Sequence, residues 1–256
     1  MGSIMGGRKA MKIYFFTRRT MLAAAAIFIL LCGFLGLSLI YFNDAGIALH
    51  SREPIYQGNT GQKVVALTVN VDWGEEYIPA MLQEFKKYDA RVTFFVTGRW
   101  AEKNPELLKE MSKAGHSIQN HGYKHLHFNQ LAPAQTEEQI KKAEKIIKEI
   151  TGKQCRFLAS PYGEQGKQLM QVVSSLDYDL IMWSIDTIDW QRPSPDTIVK
   201  RVLNRLHNDA IVLMHPTEPT VKALPEMLKG LKEQGYKMVG IEDIIKDGKL
   251  TDEKSE

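Results

Sequence analysis

The chain places acids and imidazoles where apolar runs give out. Asp72 follows "VVALTVNV" (64–71) and precedes Trp73, Gly74, Glu75 and Glu76. His121 and His125 stand four apart in "NHGYKHLHF". On a helical turn such residues face the same way, so two imidazoles can share one metal ion. Alone, the spacing suits polar surface residues equally well. With Asp72 supplied from another strand end it becomes a three-ligand set that leaves positions for water and substrate. The position of His127 relative to the pair points elsewhere, and a structural role is expected of it.

A second constellation combines "DTIDWQRP" (186–193), with Asp186 and Asp189, and His215 in "LMHPT". A carboxylate beside a histidine fixes its tautomer and favours its charged form, which suits a general acid. Capping or core roles are the alternative. In "ASPYGE", Pro161 and Gly163 flank Tyr162 in a tight turn. It either aims a backbone N–H at a reacting oxygen or is a turn and nothing more. The base is missing from this inventory. Strand side chains alternate, so Asn70 shares a face with Asp72, and an amide cannot take a proton. Glu75 and Glu76 are stand-ins, or simply acids at a helix N-terminus.

Elements that could gather these groups are legible in the rest of the chain. Short β-branched or aromatic runs occur at 64–71, 91–98, 116–121, 155–160, 180–186, 210–216 and 237–241. Amphipathic stretches lie between them, such as "QTEEQIKKAEKIIKEITG", with Ile140, Ala143, Ile146, Ile147 and Ile150 at helical spacing and Gly152 closing it. Strands alternating with helices predict parallel pairing and a distorted (β/α) barrel of about seven strands. The chemistry of such a barrel sits at the C-terminal ends of its strands, where these acids and imidazoles fall.

Residues 21–41, "MLAAAAIFILLCGFLGLSLIY", carry no charge and are long enough to cross a bilayer as a helix. The preceding basic segment, 1–20, predicts a cytoplasmic N-terminus and a single-pass anchor with the body on the outer face, and a cleaved signal peptide is the alternative. A tether is expected over 42–62, a catalytic domain over 63–248 and a polar tail over 249–256. The first 20 residues hold five basic groups and no acid, so of the net +3 they carry +5 and the remainder −2. That near-neutral body argues against nucleic acid as a partner. Cys32 falls in the proposed anchor and Cys155 in the body, so no disulfide is expected.

Taken in order, "TVNVDWG", "HGYKH", "ASPYG", "DTIDW" and "LMH" resemble the five motifs of the polysaccharide deacetylases, the NodB homology family of carbohydrate esterase family 4. The resemblance covers roughly residues 62–245 and leans toward a sporulation-associated branch from spore-forming bacteria. It implies a divalent metal, usually zinc, on Asp72, His121 and His125. It implies that His215 is the general acid with Asp189 as its charge partner, and that the Tyr162 backbone N–H serves the oxyanion. Trp190 and Leu213 would line the acetyl pocket. The implied reaction releases acetate from an N-acetylated sugar of chitin or peptidoglycan, and the alternative is a glycan-binding pseudoenzyme. Two positions depart from the family pattern. Asn70 stands where the base is an Asp, and Ala159 where an Arg holds that base. Lost together, the two changes avoid leaving a guanidinium buried without a partner. Arg156, three residues away on the same run, should face elsewhere.

Overall fold

The computed structural model describes residues 18–19, 21–22, 27–30, 32–33 and 53–245. Strand β1 (Val64–Val71) is buried along its whole length. Its side chains alternate between two cores. Val65, Leu67, Val69 and Val71 join the large cluster formed with the helices. Val64 and Ala66 join a smaller interior cluster containing Phe95, Phe157, Ala159 and Ile211. The same alternation puts Thr68 and Asn70 on the interior face.

The remaining strands are β2 (Thr93–Val96), β3 (Ser117–Asn120), β4 (Phe157–Leu158), β5 (Asp179–Leu180), β6 (Ile185–Asp186), β7 (Ala210–Met214) and β8 (Lys237–Val239). All pairings between them are parallel, in the order β5-β4-β3-β2-β1-β7-β6, with β8 also on β1. Each of the seven apolar runs overlaps a strand, and the fifth overlaps two. It breaks because Met182 takes its backbone partner from Ile55, whereas Ser184 takes one from Ile211 on β7.

Between the strands lie α1 (Ile78–Lys87), α2 (Gly98–Lys103), α3 (Pro105–Lys113), α4 (Pro133–Thr151), α5 (Lys167–Ser175), α6 (Pro195–Leu203) and α7 (Glu218–Glu233), and α8 (Ile241–Ile244) follows β8. Helix α4 begins on Pro133, buries Ile140, Ala143, Ile146 and Ile147, and ends at Gly152 with φ 73°. That left-handed residue is the ordinary stop signal of a helix.

Of the tether expected over 42–62, residues 42–52 lie outside the described residues. From residue 53 the chain packs on the domain: Ile55 bridges Ile181, Gln57 bridges Ala210, and Thr60 and Gly61 bond the Asp209 carboxylate. Ile55 also packs against the interior cluster. The described residues of 21–41 are helical. Among the described residues no helix is long and apolar enough to cross a membrane. Most of segment 1–20 and all of 249–256 lie outside the described residues.

Candidate functional site

A cavity of about 540 Å³ opens at the C-terminal ends of the strands. Asn70, His121, His125, Gly163, Asp186, Leu213 and His215 line it, and Trp73, Tyr162, Trp183 and Trp190 wall it with aromatic surface. A larger hollow, about 650 Å³, lies at the opposite ends of the strands against Phe85, Arg91 and His116, away from all these groups.

His215 and Asp189 form a tight pair. His215 Nδ1 lies 2.8 Å from Asp189 Oδ1, and the His215 backbone N–H donates to Oδ2 at 2.6 Å. Thr220 Oγ1 donates to the same Oδ2 at 2.6 Å. Asp189 has no exposed surface, so these donors replace the water it lost. With Nδ1 held, Nε2 is the ring nitrogen left for the cavity. Trp73 lies parallel to the His215 ring, with centroids 6.3 Å apart. Asp186, the other acid of the "DTIDW" turn, accepts from the Ile188 N–H at 2.8 Å while lining the cavity.

His121 and His125 meet edge to face with centroids 4.9 Å apart. No helix brings them together, contrary to the spacing argument. They belong to an irregular loop that turns on Gly122 (φ 73°) and His125 (φ 55°). His121 Nδ1 is 2.7 Å from the Ala159 carbonyl, which fixes its tautomer with Nδ1 protonated and leaves the Nε2 lone pair exposed to the loop. Burial pushes its pKa down to about 3, with the neighbouring His125 adding to the effect. Burial lowers His125 as well. Both rings are therefore neutral at pH 7, as metal ligation requires.

Asp72 is engaged differently. Arg99 Nε donates to its Oδ1 at 2.7 Å, Arg99 Nη2 closes on Oδ2, and Thr97 Oγ1 donates to Oδ1 at 2.7 Å. Burial opposes the carboxylate's charge, but the bonds from Arg99 and Thr97 outweigh it and hold its pKa below the usual value. The imidazoles suit a divalent ion. The carboxylate, with both oxygens taken by a guanidinium, does not fit one as it stands. Among the described residues no three His, Cys, Asp or Glu side chains form a ligand group. Asp72 lies near enough to His121 and His125 to act on them electrostatically, while Arg99 holds both of its oxygens.

Asn70 is 7% exposed, and its Oδ1 is buried without a hydrogen-bond partner. Ala159 is buried in the interior cluster among Phe95 and Phe157. Apolar packing thus surrounds the position where the family's arginine is expected. Arg156 faces away, toward Asp179 and the Phe157 ring. Glu75 and Glu76 are exposed, and neither lines the cavity. Glu75 lines the adjoining cleft with Asp72 and Arg99.

Tyr162 sits at φ 59° in the turn Pro161–Gly163. His127 stacks on its ring, with centroids 3.7 Å apart, and its Nδ1 is 2.9 Å from Glu164. The structural role expected of His127 is visible here: it props Tyr162. Arg99, Thr97 and Trp183 escaped the sequence reading. Arg99 follows "RVTFFVTG" and so lies at a strand's C-terminal end, which is the signal that marked the other rim residues.

Residues 57–181 match the polysaccharide deacetylase family. The chain is 36% identical over 198 residues to the uncharacterised protein YlxY of Bacillus subtilis, covering 77% of this chain and 62% of that protein. It is 30% identical over 199 residues to a peptidoglycan-N-acetylglucosamine deacetylase of Bacillus cereus, covering 76% and 72%. Among solved structures, a CE4 family pseudoenzyme from Bacillus anthracis superimposes with a TM-score of 0.74 at 39% identity, covering 76% of this chain and 69% of that one. A mutant of that pseudoenzyme with restored enzymatic activity gives the same TM-score at 37% identity. With ordered motifs, parallel barrel strands and a rim cavity all in agreement, the chain belongs to the polysaccharide deacetylase family.

Proposed function

We propose that the rim cavity receives an N-acetylated sugar of a wall glycan and that the protein is a deacetylase retaining the acid half of its chemistry without the base half. The observation carrying this reading is the Asp189–His215 pair, fully bonded at one end and open to the cavity at the other. Removing the acetyl group requires water to add to the amide carbon and the leaving nitrogen to be protonated. His215 Nε2 is the group in position to hand over that proton, and Asp189 stabilises the positive charge the ring carries before the transfer. Tyr162 and Trp190, both largely exposed at the cavity, offer ring faces to a sugar, and buried Leu213 offers an apolar contact for the methyl. Nothing at position 70 can accept the proton of the attacking water. A positioned base typically contributes about 10²- to 10⁴-fold, so turnover should be slow by that margin.

A second reading, glycan binding without cleavage, is favoured by the orphaned Asn70 Oδ1. A buried acceptor without a donor costs about 1–3 kcal/mol, and an acetamido N–H or a bound water would relieve it. Acetate release by the full-length protein on N-acetylglucosamine oligomers separates the two. Release that disappears in His215→Ala supports the deacetylase. Saturable oligomer binding with no release supports the binding role. The apolar stretch 21–41 and its basic flank support placing the domain on the outer face of a membrane; cell fractionation with protease accessibility tests this.

A further inference from the structure

We propose that Arg99 is a built-in cation of this site, competing with a divalent ion for Asp72 and thereby setting how tightly the site retains one. The Asp72 side chain is 8% exposed. A carboxylate so far out of water needs a positive partner, and leaving it alone would be costly. Arg99 provides one with a two-pronged grip, the strongest geometry for this pair, and Thr97 supplies a third donor. An ion bound between the imidazoles and Asp72 would meet the same oxygens that the guanidinium now holds. The two cations are therefore alternatives.

The surroundings allow the exchange. The Arg99 side chain is 45% exposed. It borders a cleft of about 240 Å³ that is also lined by Glu75, Lys103 and Asn104. Arg99 and Glu75 line the same cleft, so a second carboxylate is available to the guanidinium in the same opening. Thr97 is fully buried and caps α2 by accepting from the Trp100 N–H. Its hold on Asp72 therefore stays fixed while Arg99 moves.

The test is metal binding by the stripped full-length protein, with Zn²⁺ by calorimetry and Co²⁺ by visible absorption. Arg99→Met should tighten Zn²⁺ binding by about 10- to 100-fold, the range for outer-shell changes at metal sites. Arg99→Lys, which cannot grip both oxygens, should tighten it less. Asp72→Asn should cost little in the native background, where the ion must fight for that carboxylate, and much in the Arg99→Met background. Co²⁺ absorption lost in His125→Ala confirms that the ion lies at the imidazoles. Equal affinity in the native protein and both Arg99 variants overturns the proposal. So does an Asp72→Asn penalty of the same size in both backgrounds. The readout is ion binding alone, so failure here leaves the glycan reading standing.

Discussion

Asp189 lies behind His215 with both carboxylate oxygens in use, Oδ1 on the ring at 2.8 Å and Oδ2 on the backbone N–H at 2.6 Å. The pairing fixes two things at once, the ring's tautomer and the path of the chain beyond β7. Asp189→Asn leaves one acceptor oxygen and turns an NH₂ toward donors. We expect a loss of about 1–3 kcal/mol in urea denaturation, the cost of breaking bonds to a buried charged group. Nitrogen NMR of His215 should show that Nδ1 is no longer uniformly protonated. A variant with native stability and an unchanged tautomer would show that the carboxylate does neither job.

Asn70 and Ala159 should be coupled. Asn70→Asp alone puts a carboxylate where Oδ1 already lacks a donor, and Ala159→Arg alone drives a guanidinium among Phe95, Phe157 and Ile181. The first is expected to cost about 1–3 kcal/mol and the second about 3 kcal/mol or more. Together each supplies what the other lacks, so the double variant should be more stable than the sum predicts by about 1 kcal/mol or more. A urea double-mutant cycle measures this. Acetate release by the double variant should exceed that of the parent, and strictly additive costs would mean the two side chains do not face one another.

His116 makes stability depend on pH far from the rim. Its ring sits edge to face against Phe85 and Phe94, and its Nδ1 accepts from the Val92 N–H. Burial, with Arg91 nearby, lowers its pKa to about 4. The unfolded chain would bind this proton near pH 6.5. Between those values the unfolded state holds more protons, so stability falls as pH falls, by about 1.4 kcal/mol per pH unit for this group. His116→Asn keeps an acceptor near Nδ1 and removes the titration. Its urea midpoint should lie closer to the native one at pH 4.5 than at pH 7. A difference between the two proteins that does not change with pH would rule the account out.

What the sequence revealed, and what it hid, follows from the range of each signal. The apolar, β-branched run at 64–71 is a local signal, so it located β1, and strand alternation set Asn70 on one face of it, which in the structure lines the cavity. The helix ending at Gly152 was legible for the same reason. The break in the fifth run was not, because it depends on Ile55 arriving from more than a hundred residues away. The loop bearing His121 and His125 has a helical spacing without helical backbone, its turn set by positive φ at Gly122 and His125. Arg99 stands at a strand end but belongs to no recognisable motif. Its meaning lies in one long-range pairing with Asp72, which residue spacing does not encode.

Gly163 should control the shape of the cavity through Trp183. Its φ is 67°, and a Cβ added there would lie 2.7 Å from the Trp183 ring. Gly163→Ala therefore carries two penalties: about 1 kcal/mol or more of left-handed strain, and a clash relieved when Trp183 swings from its seat in the cavity wall. Asparagine tolerates the left-handed region better than alanine but brings the same Cβ. We expect Gly163→Asn to lose less stability than Gly163→Ala while both weaken N-acetylglucosamine oligomer binding by a similar factor, about fivefold or more. Calorimetry gives the affinities, and tryptophan fluorescence should report the displaced ring in both variants. If affinity instead tracked the stability loss, strain in the turn would be the cause, and Trp183 would be a bystander.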